Sequence, residues 1–131
     1  MKRTPLKKKS DKPRSKQIAK LDVLFSQYIR GKANNKCEYC GKGKPMQLQC
    51  HHGVVHRKYM NTRYEEDNCA CVCVSCHWYL GNFPRINSEF FKKRIGSDRM
   101  EQLEVLARTR TKIDLDAVEE RLRSLKEFER V

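Results

Sequence analysis

No apolar run approaches the roughly 18 residues that a transmembrane helix needs, and the basic N-terminus lacks the apolar core of a secretory signal. Aromatic residues are scarce at 8%, with a single tryptophan, against 34% charged residues. A chain of 131 residues has room for one ordinary core, and this composition keeps that core small. A bound metal is one way to stabilise such a fold. The seven cysteines are odd in number, so they cannot all be paired as disulfides. Together these absences point to a cytoplasmic protein with reduced thiols, where paired C-x-x-C motifs favour metal over disulfide.

Acidic residues are also in deficit, at 16 against 29 Lys and Arg, a net charge of +13. Met1–Gln17 carries eight cations and one acid and reads as a disordered basic arm, leaving 18–131 as a single domain. Residues 18–110 carry sixteen cations against nine acids, whereas the segment from Thr111 onward is close to neutral. Basic charge on the arm and on the cysteine-bearing body favours a phosphate backbone as partner, through counterion release. A solubilising charge is the alternative.

Ile18, Leu21, Leu24, Phe25, Tyr28 and Ile29 recur at helical spacing and predict an amphipathic helix ending at Gly31. Cys37-x-x-Cys40-Gly41 then places two sulfurs on a tight turn, and Cys73-x-x-Cys76 matches it with 32 residues between the two pairs. Two such pairs suit a tetrahedral structural Zn²⁺ site with four thiolate ligands. Met46–Cys50 and Cys69–Cys73 read as short strands, Gly53–Asp67 as a loop, and Ser75–Leu80 as a helix. Cys50, Cys69 and Cys71 read as small buried hydrophobes, with a metal arrangement using Cys71 as the alternative. Residues 87–131 form further helices. Asn87 or Ser88 is expected to cap the first, and Thr111-x-x-Asp114 a last one bearing Leu115, Val118, Leu122, Leu125 and Phe128. That stripe is expected on the body of the domain, with a homodimer interface as the alternative.

All four histidines and the tryptophan fall within residues 50–82, where His51-His52, Asn68 and Cys73-x-x-Cys76-His77 occur in order. This set resembles the HNH motif (His-Me finger, ββα-metal) of nucleases in its zinc-bearing form. The resemblance implies an α+β, mostly helical fold with a ββα-metal core over 34–82, stapled by the zinc knuckles and flanked by N- and C-terminal helices. It implies His52 as the general base, and His51 and His77 as ligands of a catalytic Mg²⁺ or Mn²⁺. Asn68 would brace the loop and orient His52. Imidazole titrates near neutrality and suits water activation, while a cation offsets charge at the phosphate. Adjacent strand residues point to opposite faces, which suits a division of His51 and His52 into ligand and base. His56 reads as a substrate-side or loop histidine.

The run from His52 through Arg57, Arg63-Tyr64, Asn68, Gly81-Asn82 and Ile95-Gly96 is similar to the NinG/Rap family of phage recombination endonucleases. The chain departs from that pattern at His51 and His77. The likeness implies an endonuclease acting on DNA, including branched DNA such as Holliday junctions and D-loops, in the cytoplasm of a bacterial host cell. Arg57, Lys58, Arg63, Arg85, Lys92 and Lys93 are the candidate DNA contacts. A less selective HNH nicking or double-strand endonuclease is the alternative within enzymes. A noncatalytic zinc-dependent DNA-binding protein is the alternative outside them.

Overall fold

The computed structural model describes residues 5–130, and the side chains of residues 14–125. Met1–Thr4 of the expected arm, and the side chain of Phe128, lie outside the described residues. The chain forms two compact units, Met1–Phe25 with Asp114–Val131, and Ser26–Ile113. Both boundaries, after Phe25 and before Asp114, fall inside the expected domain, 18–131. The fold is α+β and mostly helical, with six helices and a two-stranded antiparallel sheet among the described residues. No helix of these residues is long and apolar enough to cross a membrane.

Helix α1 covers Pro5–Lys32, reaching further at both ends than the apolar stripe alone suggested. Lys, Arg and Gln are good helix formers, so the basic segment continues the helix upstream. At the other end Gly31 stays helical, and the stop comes from Asn34 and Asn35, both at φ 56°. Asparagine tolerates the left-handed conformation that closes a helix, and the Asn35 N–H donates to the Arg30 carbonyl at 2.9 Å. In the first unit Leu21 and Phe25 of α1 and Leu115, Val118 and Leu122 of α6 (Leu115–Arg130) are buried. Lys20–Glu119 and Gln17–Asp116 tie the two helices. Asp114, rather than Thr111, caps α6, its Oδ1 accepting from the Asp116 and Ala117 amides. An aspartate directly before the first turn is the better placed acceptor.

The second unit is built on β1 (Leu48–His52) and β2 (Cys69–Cys73), paired from Leu48↔Cys73 to His52↔Cys69. Strand β2 falls where its sequence put it. Strand β1 lies two residues later than expected, so both His51 and His52 sit within it. The connection from β1 to β2 carries a short helix α2 (Met60–Arg63) and a 3-10 turn (Glu66–Asn68). Helices α3 (Val74–Asn82), α4 (Pro84–Ile95) and α5 (Ser97–Arg108) follow. Helix α4 opens on Pro84, a favoured first helical residue, so Asn87 lies inside the helix instead of capping it. The core joins Ala70 and Val72 of β2 with Leu80 of α3, Phe91 of α4 and the sulfurs of Cys37, Cys73 and Cys76.

Candidate functional site

The cysteine knuckles come together as their spacing requires. Around Cys37, Gly41 N–H donates to the Cys37 carbonyl at 2.8 Å, and Cys40 N–H donates to the Cys37 sulfur at 3.4 Å. Gly41 takes φ +81°, a conformation that L side chains rarely adopt. The ligand atoms of Cys37, Cys40, Cys73 and Cys76 all lie within 4.8 Å of one another. Burial pushes the Cys37 thiol up, but hydrogen bonds from the Cys40, Cys73 and Tyr39 backbone outweigh it and bring the pKa to about 7. Burial, and then hydrogen bonds to Cys73 and Cys40, push the Cys76 thiol up. One thiolate therefore forms readily, and further ionisation is opposed by its neighbours. A dication relieves that opposition, so this set can hold a metal ion such as zinc.

Glu38, between the knuckle cysteines, stitches the knuckle to the sheet. Its N–H donates to the Cys71 carbonyl at 2.7 Å, and its carboxylate accepts from the Cys71 N–H at 2.7 Å. The same carboxylate pairs with Arg94 of α4 at 3.0 Å.

The alternation of β1 sends Gln49 and His51 to one face, and Cys50 and His52 to the other. On the first face His51 is only 6% exposed and meets His77 of α3, their ring centroids 4.9 Å apart. Two amides fix these rings. Asn87 donates through Nδ2 to the Gly53 carbonyl at 2.8 Å, which turns its Oδ1 toward His51 Nε2, also at 2.8 Å. A carbonyl oxygen only accepts, so Nε2 carries the proton and Nδ1 keeps its lone pair. Gln49 Oε1 engages His77 Nδ1 in the same way, leaving Nε2 of that ring as the basic nitrogen. Imidazoles oriented through their second nitrogen are the usual arrangement of metal ligands. Burial lowers the pKa of both; for His51 the Asn87 hydrogen bond opposes this and the neighbouring His77 adds to it. Both rings thus favour the neutral form that a cation binds.

His52 Nε2 donates to the Arg63 carbonyl at 3.0 Å. Arg63 closes α2, and fully buried Asn68 holds that connection. Its Oδ1 accepts from Val55 N–H at 2.7 Å, and its Nδ2 donates to the carbonyls of Val55 at 3.0 Å and Thr62 at 3.3 Å. These bonds tie the start of the loop to the turn of α2 just before Arg63, whose carbonyl His52 engages. Helix α5 steadies the same loop through Arg99, paired with Asp67 at 2.8 Å and Glu65 at 3.3 Å. Asn61 of α2 also donates to the carbonyls of Leu106 and Thr109.

His51, His52 and His77 share one open cleft of about 630 Å³, whose walls also include His56, Arg57 and Trp78. Of the candidate DNA contacts, Arg57 lies on this cleft, while Arg63 turns its guanidinium to the Arg57 carbonyl at 3.0 Å. Lys58 lies over the Tyr59 ring, and His56 Nδ1 accepts from its N–H. Lys93 faces a separate hollow with Glu38 and Glu89. Arg85 and Lys92 are exposed on α4.

Gln49, Asn87, Gly53 and Trp78 were not read from the sequence as site residues. Gln49 alone left a trace, two residues before His51 and therefore on its strand face. A second group of metal-ligating atoms, from Cys50, His52 and Cys69, also lies within 4.8 Å, and Cys71 is in neither group.

Comparison with curated proteins and with solved structures finds no match. The family model of the bacteriophage Lambda NinG protein matches residues 2–130, nearly the full length, and the chain belongs to that family.

Proposed function

We propose that this protein is a metal-dependent DNA endonuclease of the HNH type, acting on branched recombination or replication intermediates such as Holliday junctions and D-loops. The observation that carries the reading is the three-histidine cleft. His51 and His77, whose pKa values burial lowers, are oriented by the amides of Asn87 and Gln49 and meet edge to face in the cleft that His52 also lines. Two imidazoles with fixed tautomers fit a hard or borderline divalent cation whose other positions stay open to water and phosphate. The cation, Mg²⁺ or Mn²⁺, would supply charge compensation at the phosphate and the leaving oxygen.

His52 accepts a proton from the attacking water. With Nε2–H held by the Arg63 carbonyl, Nδ1 is the nitrogen that can receive it. The carbonyl also stabilises the imidazolium that results, as an acceptor does for a charged donor. Asn68 keeps that carbonyl in place. Arg57, on the cleft wall, engages the substrate backbone, and Lys58 and Arg63 add to the positive potential of the same loop. The net charge of +13 supports a polyanionic substrate, and membership of a phage family supports a place in the cytoplasm of a bacterial host.

The test is cleavage of supercoiled plasmid, linear duplex and a four-way junction, with Mg²⁺ or Mn²⁺, by the full chain. Junction cutting at least tenfold faster than linear duplex is expected. Equal rates would reduce the reading to a less selective nuclease, and binding without any cutting would replace it with a noncatalytic DNA-binding protein.

A further inference from the structure

Cys50 and His52 are two residues apart on β1 and so share a strand face, and Cys69 is the cross-strand partner of His52. Their two sulfurs and one imidazole nitrogen lie within 4.8 Å of one another. Around a tetrahedral Zn²⁺, ligand atoms at about 2.0–2.3 Å from the metal lie about 3.5–3.8 Å apart, so closure asks for a contraction of at most about 1.3 Å. Cys50 and His52 line the cleft, while Cys69 is fully buried behind them. The group is thus closed on one side and open to solvent on the other. Nothing in the four-cysteine site or in the His51–His77 pair uses these two thiols.

We propose that Cys50, His52 and Cys69 form a second soft-metal site, taking Zn²⁺ through two sulfurs and one imidazole, with its fourth position facing the cleft. Two thiolates select zinc over Mg²⁺, so this site does not compete for the hard cation between His51 and His77. Its occupancy bears on activity. His52 donates through Nε2 to the Arg63 carbonyl, which leaves one lone pair on the ring, at Nδ1. A metal and a proton cannot both take that lone pair. Zinc at this site therefore removes the base, and the same three residues make the cleft zinc-inhibited. This second part rests on the proposed nuclease function; the binding part does not.

The test counts zinc on the full chain by native mass spectrometry after reconstitution with Zn²⁺ alone under reducing conditions, with His77→Ala carried in parent and variants alike for this count so that the His51–His77 pair takes none. The parent is expected to hold two zinc ions per chain, and Cys50→Ser one. Cys69→Ala, with its circular dichroism spectrum compared to that of the parent, provides a second variant in case one substitution unfolds the chain. A parent that holds a single zinc, or a Cys50→Ser protein that still holds two, overturns the site. In the second arm, plasmid nicking with Mg²⁺ is followed as zinc is added beyond the first equivalent. Loss of at least tenfold in the parent and less than twofold in Cys50→Ser is expected. Unchanged nicking by a parent carrying the second zinc overturns the inhibition. A protein that binds the second zinc and never cuts DNA supports the site and defeats the nuclease reading, so the two fail separately.

Discussion

Gly53 follows His52 directly, and replacing it with alanine tests how tightly the histidine strand is wedged into the core. A Cβ at this position would lie 1.9 Å from Phe91 Cε2, 2.4 Å from Cζ and 2.7 Å from Cδ2. Carbon atoms in contact sit about 3.5–4.0 Å apart, so backbone and ring must separate by roughly 1.5–2 Å. Gly53 is not in the left-handed region, so the cost arises from the contact and not from the backbone conformation. Neither partner yields easily. Phe91 is 0% exposed, and the Gly53 backbone is held by Asn68 at 2.9 Å and Asn87 at 2.8 Å. Overpacking of this kind costs about 1–3 kcal/mol. Gly53→Ala is therefore expected to lose that much stability in urea melts followed by circular dichroism. Phe91→Leu, which removes the outer ring atoms, should cost about 1–2 kcal/mol alone by leaving a cavity. In the Phe91→Leu background the alanine should cost less than half of its value in the parent. Additivity of the two changes within about 0.5 kcal/mol would refute the wedge.

Other outcomes follow from single contacts. Asn68→Ala strands the Val55 amide and two carbonyls inside the protein. It should cost about 3 kcal/mol in urea melts, and a loss under 1 kcal/mol would show the brace to be dispensable. Cys37→Ser, or a strong zinc chelator on the parent, should lose metal and cooperative melting together; a folded, zinc-replete Cys37→Ser protein would contradict the four-sulfur staple. Trp78 is 65% exposed on the cleft rim, so Trp78→Ala should weaken binding to branched or single-stranded DNA about tenfold and to blunt duplex less than twofold. Equal effects on both substrates in fluorescence anisotropy would rule out base stacking there.

What local pattern specifies was legible in the chain. The C-x-x-C spacing and the small and β-branched run Cys69–Cys73 depend on near neighbours, and the structure puts them where they were expected. The opposition of His51 and His52 followed from strand alternation alone. Features set by distant contacts were not legible. Strand β1 extends through His52 because Cys69 pairs with it across the sheet, and no residue near His52 signals that register. Asn87 looked like a helix cap because local rules favour asparagine there, yet the fold places it against His51 and Gly53. The Cys50–His52–Cys69 group had the same limit. Its first two members share a strand period, but the third arrives only through sheet pairing.

The proposal that an imidazole activates water beside a cation is tested most directly by His52→Ala, read in two ways on the same preparation. One is the plasmid nicking rate under single-turnover conditions with Mn²⁺; the other is Mn²⁺ affinity by calorimetry. Loss of a general base should slow nicking about 10²–10⁴-fold, while His51 and His77 keep Mn²⁺ binding within about threefold of the parent. A His52→Ala protein that nicks at the parental rate would contradict the account.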